Sequence, residues 1–226
     1  YHTFSLSCNW ISMAVCLTAY PCIMMTIKKL GIDFKEYLAT ANKDFVFVDP
    51  PWFYNNKETR LTMKTQFSMV ENNLDFLNYL FKIANTKILF LWITSPMLGY
   101  FVDHKNKIDL SRFEYRQILT WAKTTNTSKL LEGSGYWFKN TCEYLLVFVR
   151  KDAKPLRSRA LSYCQESATK NAQTRKPKLF ESLIMRELYN AEYLEGAYIF
   201  SGNYEDYDIS SKQNLDLVDI CFKETK

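Results

Sequence analysis

A carboxylate, two prolines and an indole stand in a row directly after a short hydrophobic segment. Asp49, Pro50, Pro51 and Trp52 follow the apolar run Phe45–Val48. An ionised carboxylate only accepts hydrogen bonds, and the prolines leave the Pro50 carbonyl as a second acceptor beside it. Two neighbouring acceptors suit a planar –NH2 group, which has two N–H donors, and we expect Trp52 to add a flat apolar face for the ring. The tetrad therefore predicts a site that holds an aromatic amine.

Holding an aromatic amine by both N–H groups has a chemical use. The lone pair of adenine's 6-amino nitrogen is delocalised into the ring, so this nitrogen is a poor nucleophile. Hydrogen bonds to Asp49 and Pro50 favour a pyramidal nitrogen, whose lone pair can attack a methyl group on a sulfonium in line. Positioning of the two partners can lower the barrier by about 7–11 kcal/mol. The alternative interpretation of the tetrad is a strand followed by a rigid turn with a packing tryptophan.

The elements that must position the tetrad are visible as hydrophobic runs. Five runs are predicted to be buried strands, namely Phe45–Val48, Lys87–Ile93, Gln117–Trp121, Tyr144–Val149 and Ala197–Phe200. They lack clean alternation, as in a parallel sheet that is covered on both faces. Helices are predicted over Glu71–Ala84, with Ser68 opening a capping box, and over Phe180–Asn190. This order predicts an α/β three-layer domain with a mostly parallel sheet, whose carboxyl edge carries the tetrad.

Composition narrows the class of protein. The chain has 226 residues, 47% hydrophobic and 16% aromatic, which predicts one folded domain and excludes a disordered chain. Six cysteines form no C-x-x-C pair, and His2 and His104 are the two histidines. We therefore expect no metal site and no disulfide framework, but buried thiols in a reducing compartment.

The amino-terminal residues allow two interpretations. Trp10–Ile27 is an 18-residue apolar run, long enough for a membrane span or a secretory core. Pro21 and several Asn, Ser and Thr residues interrupt this run, so we favour buried core structure. Because the chain starts at Tyr1 instead of Met, we expect it to be a fragment of a longer protein.

One segment concentrates positive charge. Residues 150–178 hold 9 Lys and Arg against 2 Asp and Glu, which exceeds the net +5 of the whole chain. The segment is predicted to be a long polar loop, Lys151–Lys178, that is either a solvated surface or a contact for nucleic acid. For the second case we name Lys154, Arg157, Arg159 and Arg175 as phosphate contacts. The residues that follow the tetrad are predicted to form either an ordinary loop or a gate loop over an extruded base, and they are Asn55, Asn56, Lys57 and Arg60. Tyr54 either extends the stacking wall for the base or packs in the core.

The tetrad and several further segments resemble the MT-A 70-kDa-subunit family of adenine-amino methyltransferases. The resemblance covers about residues 24 to 219, and the Asp-Pro-Pro-Trp tetrad is its most specific part. The other segments that follow in the family's order are Leu89–Ile93, Trp121–Thr124, Tyr136–Trp137, Glu143–Val147, Lys176–Pro177, Ile199–Phe200 and Gln213–Asp216. Tyr198 and Gly202 stand where the family usually has Glu and Arg.

The resemblance implies a Rossmann-like methyltransferase fold and S-adenosylmethionine as the cofactor. By position in the family's motifs, it implies cofactor contacts at Asp49, Lys176, Phe200, Asn203, Gln213 and Asn214. For Glu143 it leaves open a buried structural role or a substrate contact. The intact tetrad separates this chain from inactive partner subunits that lack it.

The resemblance also carries expectations about the substrate and the assembly. We expect the chain to methylate the 6-amino group of adenine in the nucleus, as one half of a heterodimer with a family-like subunit that lacks the tetrad. The composition, rich in Asn, Lys and Tyr, is more similar to the ciliate branch, which methylates DNA, than to the messenger-RNA branch. Two alternatives remain at this point, namely RNA as the substrate and a catalytically idle scaffold that binds nucleic acid.

Overall fold

Strands and helices alternate through most of the chain, as the hydrophobic runs predict. The computed structural model describes residues 26–27, 34–54, 72–125, 127–133, 137–156, 162–167, 176, 178–200 and 203–208. Their elements are β1 (Thr26–Ile27), α1 (Phe34–Thr40), β2 (Lys43–Asp49), α2 (Asn73–Ile83), β3 (Thr86–Ile93), α3 (Ser95–His104), β4 (Phe113–Thr124), β5 (Cys142–Arg150), β6 (Tyr163–Ser167), α4 (Lys178–Asn190), β7 (Glu195–Phe200) and β8 (Asn203–Asp208).

The described strands form one eight-stranded sheet in the order β1-β8-β7-β2-β3-β5-β4-β6. Strand β2 lies in its middle and pairs in parallel with β3 and β7. Six of the strands point the same way, whereas β5 and β8 run against their neighbours. The run Tyr144–Val149 is thus a buried strand, as predicted, but it is antiparallel because β4 and β5 form a hairpin.

Two hydrophobic cores, one on each face of the sheet, hold the fold together. Val46 and Val48 point into a core shared with α1, α2 and α3, whereas Phe45 and Phe47 point into a core shared with α4. Both faces of β2 are buried because side chains alternate between the faces of a strand. The protein therefore has the predicted three-layer, Rossmann-like α/β fold, with helices on both faces of a mostly parallel sheet.

Two local predictions need correction, and some elements were not predicted. Helix α2 begins at Asn73 and is capped by Asn72, whose side chain accepts from the backbone N–H of Leu74 at 2.9 Å, so the capping box at Ser68 is wrong. The segment Lys151–Lys178 is not loop throughout, because its part β6 pairs in parallel with the edge strand β4. Strand β8 and helix α3 were not expected from the hydrophobic pattern.

Most of the amino-terminal apolar run lies outside the described residues. Its last two residues, Thr26 and Ile27, form strand β1, which pairs with β8. Among the described helices, none combines the length and apolarity that crossing a membrane requires. Cys142 and Cys164 are free thiols, and the described residues contain no cluster of three or more groups that could hold a metal ion.

We predict that Gly196→Ala destabilises the fold. Gly196 lies opposite Phe45 across β7 and β2, and an added Cβ would come within 2.1 Å of the Phe45 ring. That ring is completely buried and has little room to move, so we expect a loss of about 1–3 kcal/mol in the free energy of unfolding, measured with urea.

Gly99→Ala is the matched control. Gly99 is an exposed residue of α3, and nothing lies within 4 Å of its added Cβ. Because alanine favours a helix more than glycine does, this variant should gain about 0.5–1 kcal/mol. Equal stability of the two variants would contradict the close approach of Phe45 to Gly196.

Candidate active site

Asp49 is the last residue of β2 and stands at the carboxyl edge of the sheet. Its neighbour in β7 is Phe200, the last residue of that strand. Asp49 is 6% exposed, although it ends a strand at an edge. Ligands of open α/β sheets bind at this edge, so the sheet delivers a buried carboxylate to the expected place.

The loop after Asp49 is fixed by side-chain hydrogen bonds to its neighbours. Trp52 donates from Nε1 to the carbonyl of Trp92 at 3.2 Å. The Asn73 amide accepts from the Phe53 N–H at 3.0 Å and donates to the Phe53 carbonyl at 2.8 Å. The hydroxyl groups of Tyr54 and Thr94 are 2.7 Å apart. These anchors on β3, α2 and the start of α3 hold the tetrad in one conformation.

Two details of the tetrad differ from the sequence-based prediction. The Trp52 indole is 4% exposed and meets the Phe76 ring edge-on, so it packs in the core and offers no open face for stacking. The Pro50 carbonyl is not a free acceptor, because the Trp52 backbone N–H donates to it at 2.9 Å. A carbonyl oxygen has two lone pairs, so one acceptor position of Pro50 is left.

Four buried or partly buried side chains form a charge cluster, which consists of Asp49, Lys176, Glu143 and Lys123. The Lys176 ammonium lies 3.2 Å from Asp49 and 2.6 Å from Glu143. Glu143 also pairs with Lys123 through its second carboxylate oxygen. Carboxylates and ammonium groups alternate along this cluster, so each charge has an opposite neighbour.

Two tryptophan rings form part of the wall of the charge cluster. The Lys176 ammonium lies 5.4 Å from the centroid of the Trp92 ring, and the Lys123 ammonium lies 5.2 Å from that of Trp121. The two rings meet edge-on. Cation–π attraction therefore supports both ammonium groups on their apolar side.

Burial and charge act against each other on the pKa values of the charge cluster. Burial raises the pKa of Asp49 to about 6, although the attraction of Lys176 opposes this rise. Burial alone would lower the pKa of Lys176, but the attraction of Asp49 and Glu143 is stronger and raises this pKa. Burial likewise works to raise the pKa of Glu143, but Lys176 and Lys123 hold it below its ordinary value. Near neutral pH, Asp49 is therefore an ionised acceptor.

Lys123 and Tyr198 are site residues for which the sequence predicts no role. Trp121 pairs with Glu143 across the β4–β5 hairpin, and Lys123 lies two residues beyond Trp121. The strand register could therefore have predicted the contact between Lys123 and Glu143. Tyr198 forms a hydrogen bond with Asp49 from the neighbouring strand β7. Its signal was the departure from the family's usual Glu. Glu143, for which two roles were open, is buried between two lysines.

The structure brings together some of the predicted site residues. Phe200 and Asn203 are backbone partners at the turn between β7 and β8, next to Asp49, and only their backbone is described. Tyr54 is partly buried and packs against the core. The remaining predicted contacts lie outside the described residues: Asn55, Asn56, Lys57, Arg60, Arg157, Arg159, Arg175, Gln213 and Asn214.

Two described lysines of the basic segment, Lys154 and Lys176, lie in different surroundings. Lys154 follows β5, which runs against β3 and so ends at the opposite edge of the sheet from Asp49. There Lys154 is exposed and pairs with Glu192 at 2.8 Å. Lys176, which the resemblance predicts as a cofactor contact, has a 10% exposed side chain and belongs to the charge cluster. The structure therefore separates Lys154 from Asp49 and makes Lys176 a site residue.

A cleft of about 660 Å³ lies between the sheet and α4, but it is not this site. Its floor is apolar and includes Phe90, Leu119 and Val147, and its lining includes Arg116, Lys154 and Glu187. No member of the charge cluster lines it. Chemistry at Asp49 must therefore use the carboxyl edge and not this cleft.

The charged side chains at the carboxyl edge fit the cofactor that the resemblance implies. S-adenosylmethionine carries a carboxylate, an ammonium group and a sulfonium. The Lys176 ammonium suits a carboxylate, and the carboxylates of Asp49 and Glu143 suit cationic groups. Lys176 and Asp49 would therefore hold the charged groups of the cofactor.

We predict that Glu143→Gln destabilises the protein. The substitution removes the charge that faces both Lys176 and Lys123, and breaking a buried pair costs about 3–5 kcal/mol. Urea unfolding measures the change. The control is Glu192→Gln, whose pair with Lys154 is fully exposed and should leave the unfolding midpoint unchanged. Equal midpoints for the two variants would show that the charge cluster does not stabilise the fold.

Comparison with known proteins gives the family of this chain. The comparison with curated proteins finds no match. The family model for MT-A70 matches residues 43–201, which is more than half of the chain. The match begins at the first residue of β2 and ends one residue after β7, so it contains every member of the charge cluster. The chain therefore belongs to the MT-A70 family, whose members are S-adenosylmethionine-dependent methyltransferases.

Proposed function

We propose that this methyltransferase transfers the methyl group to the 6-amino nitrogen of adenine in DNA. The observation that carries the proposal is the buried, ionised carboxylate of Asp49 at the carboxyl edge of the sheet, in a chain that belongs to the MT-A70 family. The ciliate-like composition supports DNA over RNA.

The chemistry needs Asp49 as an acceptor while Lys176 remains bound to it. An ionised carboxylate has about four lone-pair positions. Lys176 contacts Oδ1 of Asp49, and it keeps Glu143 as a second counter-charge. Asp49 can therefore accept an N–H of the amine without giving up its ion pair.

The second N–H of the amine would go to the remaining lone pair of the Pro50 carbonyl. The anchors of Trp52, Phe53 and Tyr54 keep this carbonyl in place. With both hydrogen bonds made, the nitrogen becomes pyramidal and its lone pair points away from the acceptors. Preorganised groups of this kind need no rearrangement during the reaction.

S-adenosylmethionine supplies an electrophilic methyl group on a sulfonium. In the transfer, a nitrogen–carbon bond forms and the carbon–sulfur bond breaks, with the electron pair returning to sulfur. The methylated nitrogen would then release one proton, and Asp49 is the ionisable acceptor at this amine. Burial raises the pKa of Asp49 to about 6, which makes it a better proton acceptor than an exposed aspartate.

An adenine inside a duplex is not reachable by a buried carboxylate, so the base must leave the stack. We propose that the residues after Tyr54, namely Asn55, Asn56, Lys57 and Arg60, close over this base. We further propose that the basic residues Arg157, Arg159 and Arg175 contact the backbone phosphates. Nuclear localisation follows from a DNA substrate and is part of the same proposal.

The exposed aromatic pair Trp137 and Phe138 supports a further part of the proposal, which is a heterodimer. The two rings are 93% and 88% exposed in the connection between β4 and β5. Aromatic side chains of this kind are enriched where proteins bind each other. We propose that this pair contacts a second family-like subunit that lacks the tetrad.

We predict methyl incorporation from labelled S-adenosylmethionine into an adenine-containing DNA oligonucleotide, and less into the matched RNA. Asp49→Asn should reduce the rate at least about 100-fold, because it removes the charged acceptor but keeps the shape. Circular dichroism checks the fold of the variant, and scintillation counting measures the methyl group.

Asp152→Asn is the control, since Asp152 is exposed and lies beyond the opposite end of β5. Near wild-type transfer by Asp49→Asn would reject the mechanism. Methyl transfer to the RNA oligonucleotide alone would show that RNA, and not DNA, is the substrate. If calorimetry detects no cofactor binding by the chain or by its complex with the partner, the chain is a scaffold and not an enzyme.

We predict that Trp137→Ser combined with Phe138→Ser abolishes the heterodimer. The full chain is purified with its co-purifying partner, and the partner is identified by mass spectrometry as a family member without the tetrad. Light scattering then compares the complexes. Tyr115→Ser, an exposed aromatic near the start of β4, should leave the complex intact. A stable complex of the double variant would exclude this surface as the interface.

A further inference from the structure

Tyr198 is placed to act on Asp49 from the neighbouring strand. In the parallel pair β2–β7, Phe47 lies opposite Tyr198 and Asp49 lies opposite Phe200. Side chains two residues apart share a face of a strand, so Phe47, Asp49 and Tyr198 point to the same side of the sheet. The ring centroids of Phe47 and Tyr198 are 6.4 Å apart, and the Tyr198 side chain is partly buried.

The phenol of Tyr198 is a hydrogen-bond donor to Asp49. The structure gives a side-chain hydrogen bond between them, and an ionised carboxylate can only accept. Lys176 holds the carboxylate at Oδ1. Asp49 is thus held by two donors from different parts of the chain. Tyr198 lies on β7, and Lys176 lies two residues before the start of α4.

We propose that Tyr198 is a positioning residue, which together with Lys176 fixes the Asp49 carboxylate so that a remaining lone pair faces the substrate amine. The identity of that amine rests on the proposed function, but the hold on Asp49 does not. Four groups act on the charge of Asp49: Lys176, Glu143 on β5, Tyr54 in the loop after the tetrad, and Tyr198 itself. Among them, Tyr198 is a neutral donor.

A tyrosine at this position differs in its physical effect from the glutamate that the family usually has. An ionised glutamate would accept and not donate, and it would add a second negative charge beside Asp49. Such a charge makes ionisation of Asp49 harder, whereas a hydroxyl donor makes it easier. Asp49 is only 6% exposed, and burial raises its pKa. In this chain, the Tyr198 hydroxyl offsets part of that rise.

The first test is Tyr198→Phe in the full chain, which removes the hydroxyl and keeps the ring. We expect kcat for methyl transfer to fall about tenfold, because a hydrogen bond to a charged group is lost. The acidic limb of the pH–rate profile should move to higher pH, since the ionised form of Asp49 loses a donor.

The control is Tyr193→Phe, which removes the hydroxyl of a buried tyrosine. The Tyr193 hydroxyl donates to the Lys154 carbonyl at 2.9 Å, away from Asp49. The Tyr193→Phe variant should leave kcat and the pH profile unchanged. Thermal unfolding of both variants separates a loss of stability from the change in profile that positioning predicts.

A second measurement reads Asp49 without any nucleic acid. Carbon-detected NMR of aspartate-labelled protein follows the titration of the Asp49 carboxylate, and its signal is assigned by its loss in Asp49→Asn. The titration should move to higher pH in Tyr198→Phe and still higher in Tyr198→Glu, because a second carboxylate repels the first.

An Asp49 titration in Tyr198→Phe that matches the wild type would overturn the proposal, and so would a shifted titration with unchanged kcat. Wild-type titration in Tyr198→Glu would show that the donor is not needed. If the wild-type chain transfers no methyl group but the titration still shifts in Tyr198→Phe, the proposed function fails while the hold of Tyr198 on Asp49 stands.

Discussion

A buried ion pair between Asp49 and Lys176 is the interaction on which the site depends. Asp49 is placed by a central strand, whereas Lys176 comes from just before α4, more than a hundred residues later in the chain. Neither charge could stay buried alone, because moving an unpaired ion into the interior of a protein is costly. The pair therefore ties the end of β2 to the start of α4. Glu143 and Lys123 extend the pairing, so that a hairpin of the sheet is bound to the same point.

The sheet explains why such a cluster can exist at all. Strands β2, β3, β4 and β7 end at one edge, and β5 begins there because it runs the other way. Polar residues at this edge have apolar cores on both faces of the sheet behind them, which lowers the local dielectric response. Under these conditions the attraction between opposite charges is strong, and an unpaired charge destabilises the fold. The same balance explains the opposing effects on Asp49, where burial raises the pKa and Lys176 lowers it. An acceptor that is ionised near neutral pH but easy to protonate suits an amine that must lose a proton.

The residue types of β2 are enough to predict its burial. Phe45, Val46, Phe47 and Val48 are uniformly apolar, and a strand buried on both faces is the simplest structure that hides all of them. Trp52 shows the opposite case. Its residue type fits both a stacking platform and a core anchor, and only the position of Phe76 and of the Trp92 carbonyl decides for the core. Pro50 was expected to offer a free carbonyl because prolines do not donate, but the next N–H in the turn, from Trp52, takes one lone pair.

The sequence by itself determined the α/β class, most of the buried strands and the location of Asp49 at the carboxyl edge, because these follow from local hydrophobic runs and from the general geometry of parallel sheets. The run Gln117–Trp121 is a strand, as predicted, but only Trp121 in it is buried. The sequence also determined the family, since the tetrad is contiguous in the chain. Only the tertiary structure decided which charges meet. Lys123, Glu143, Lys176 and Tyr198 lie far apart in sequence, and their contacts with one another and with Asp49 depend on strand order and register. A lysine in a basic segment carries no local sign of whether it faces solvent or a buried carboxylate, and the folded chain alone gives Lys176 and Lys154 their different surroundings.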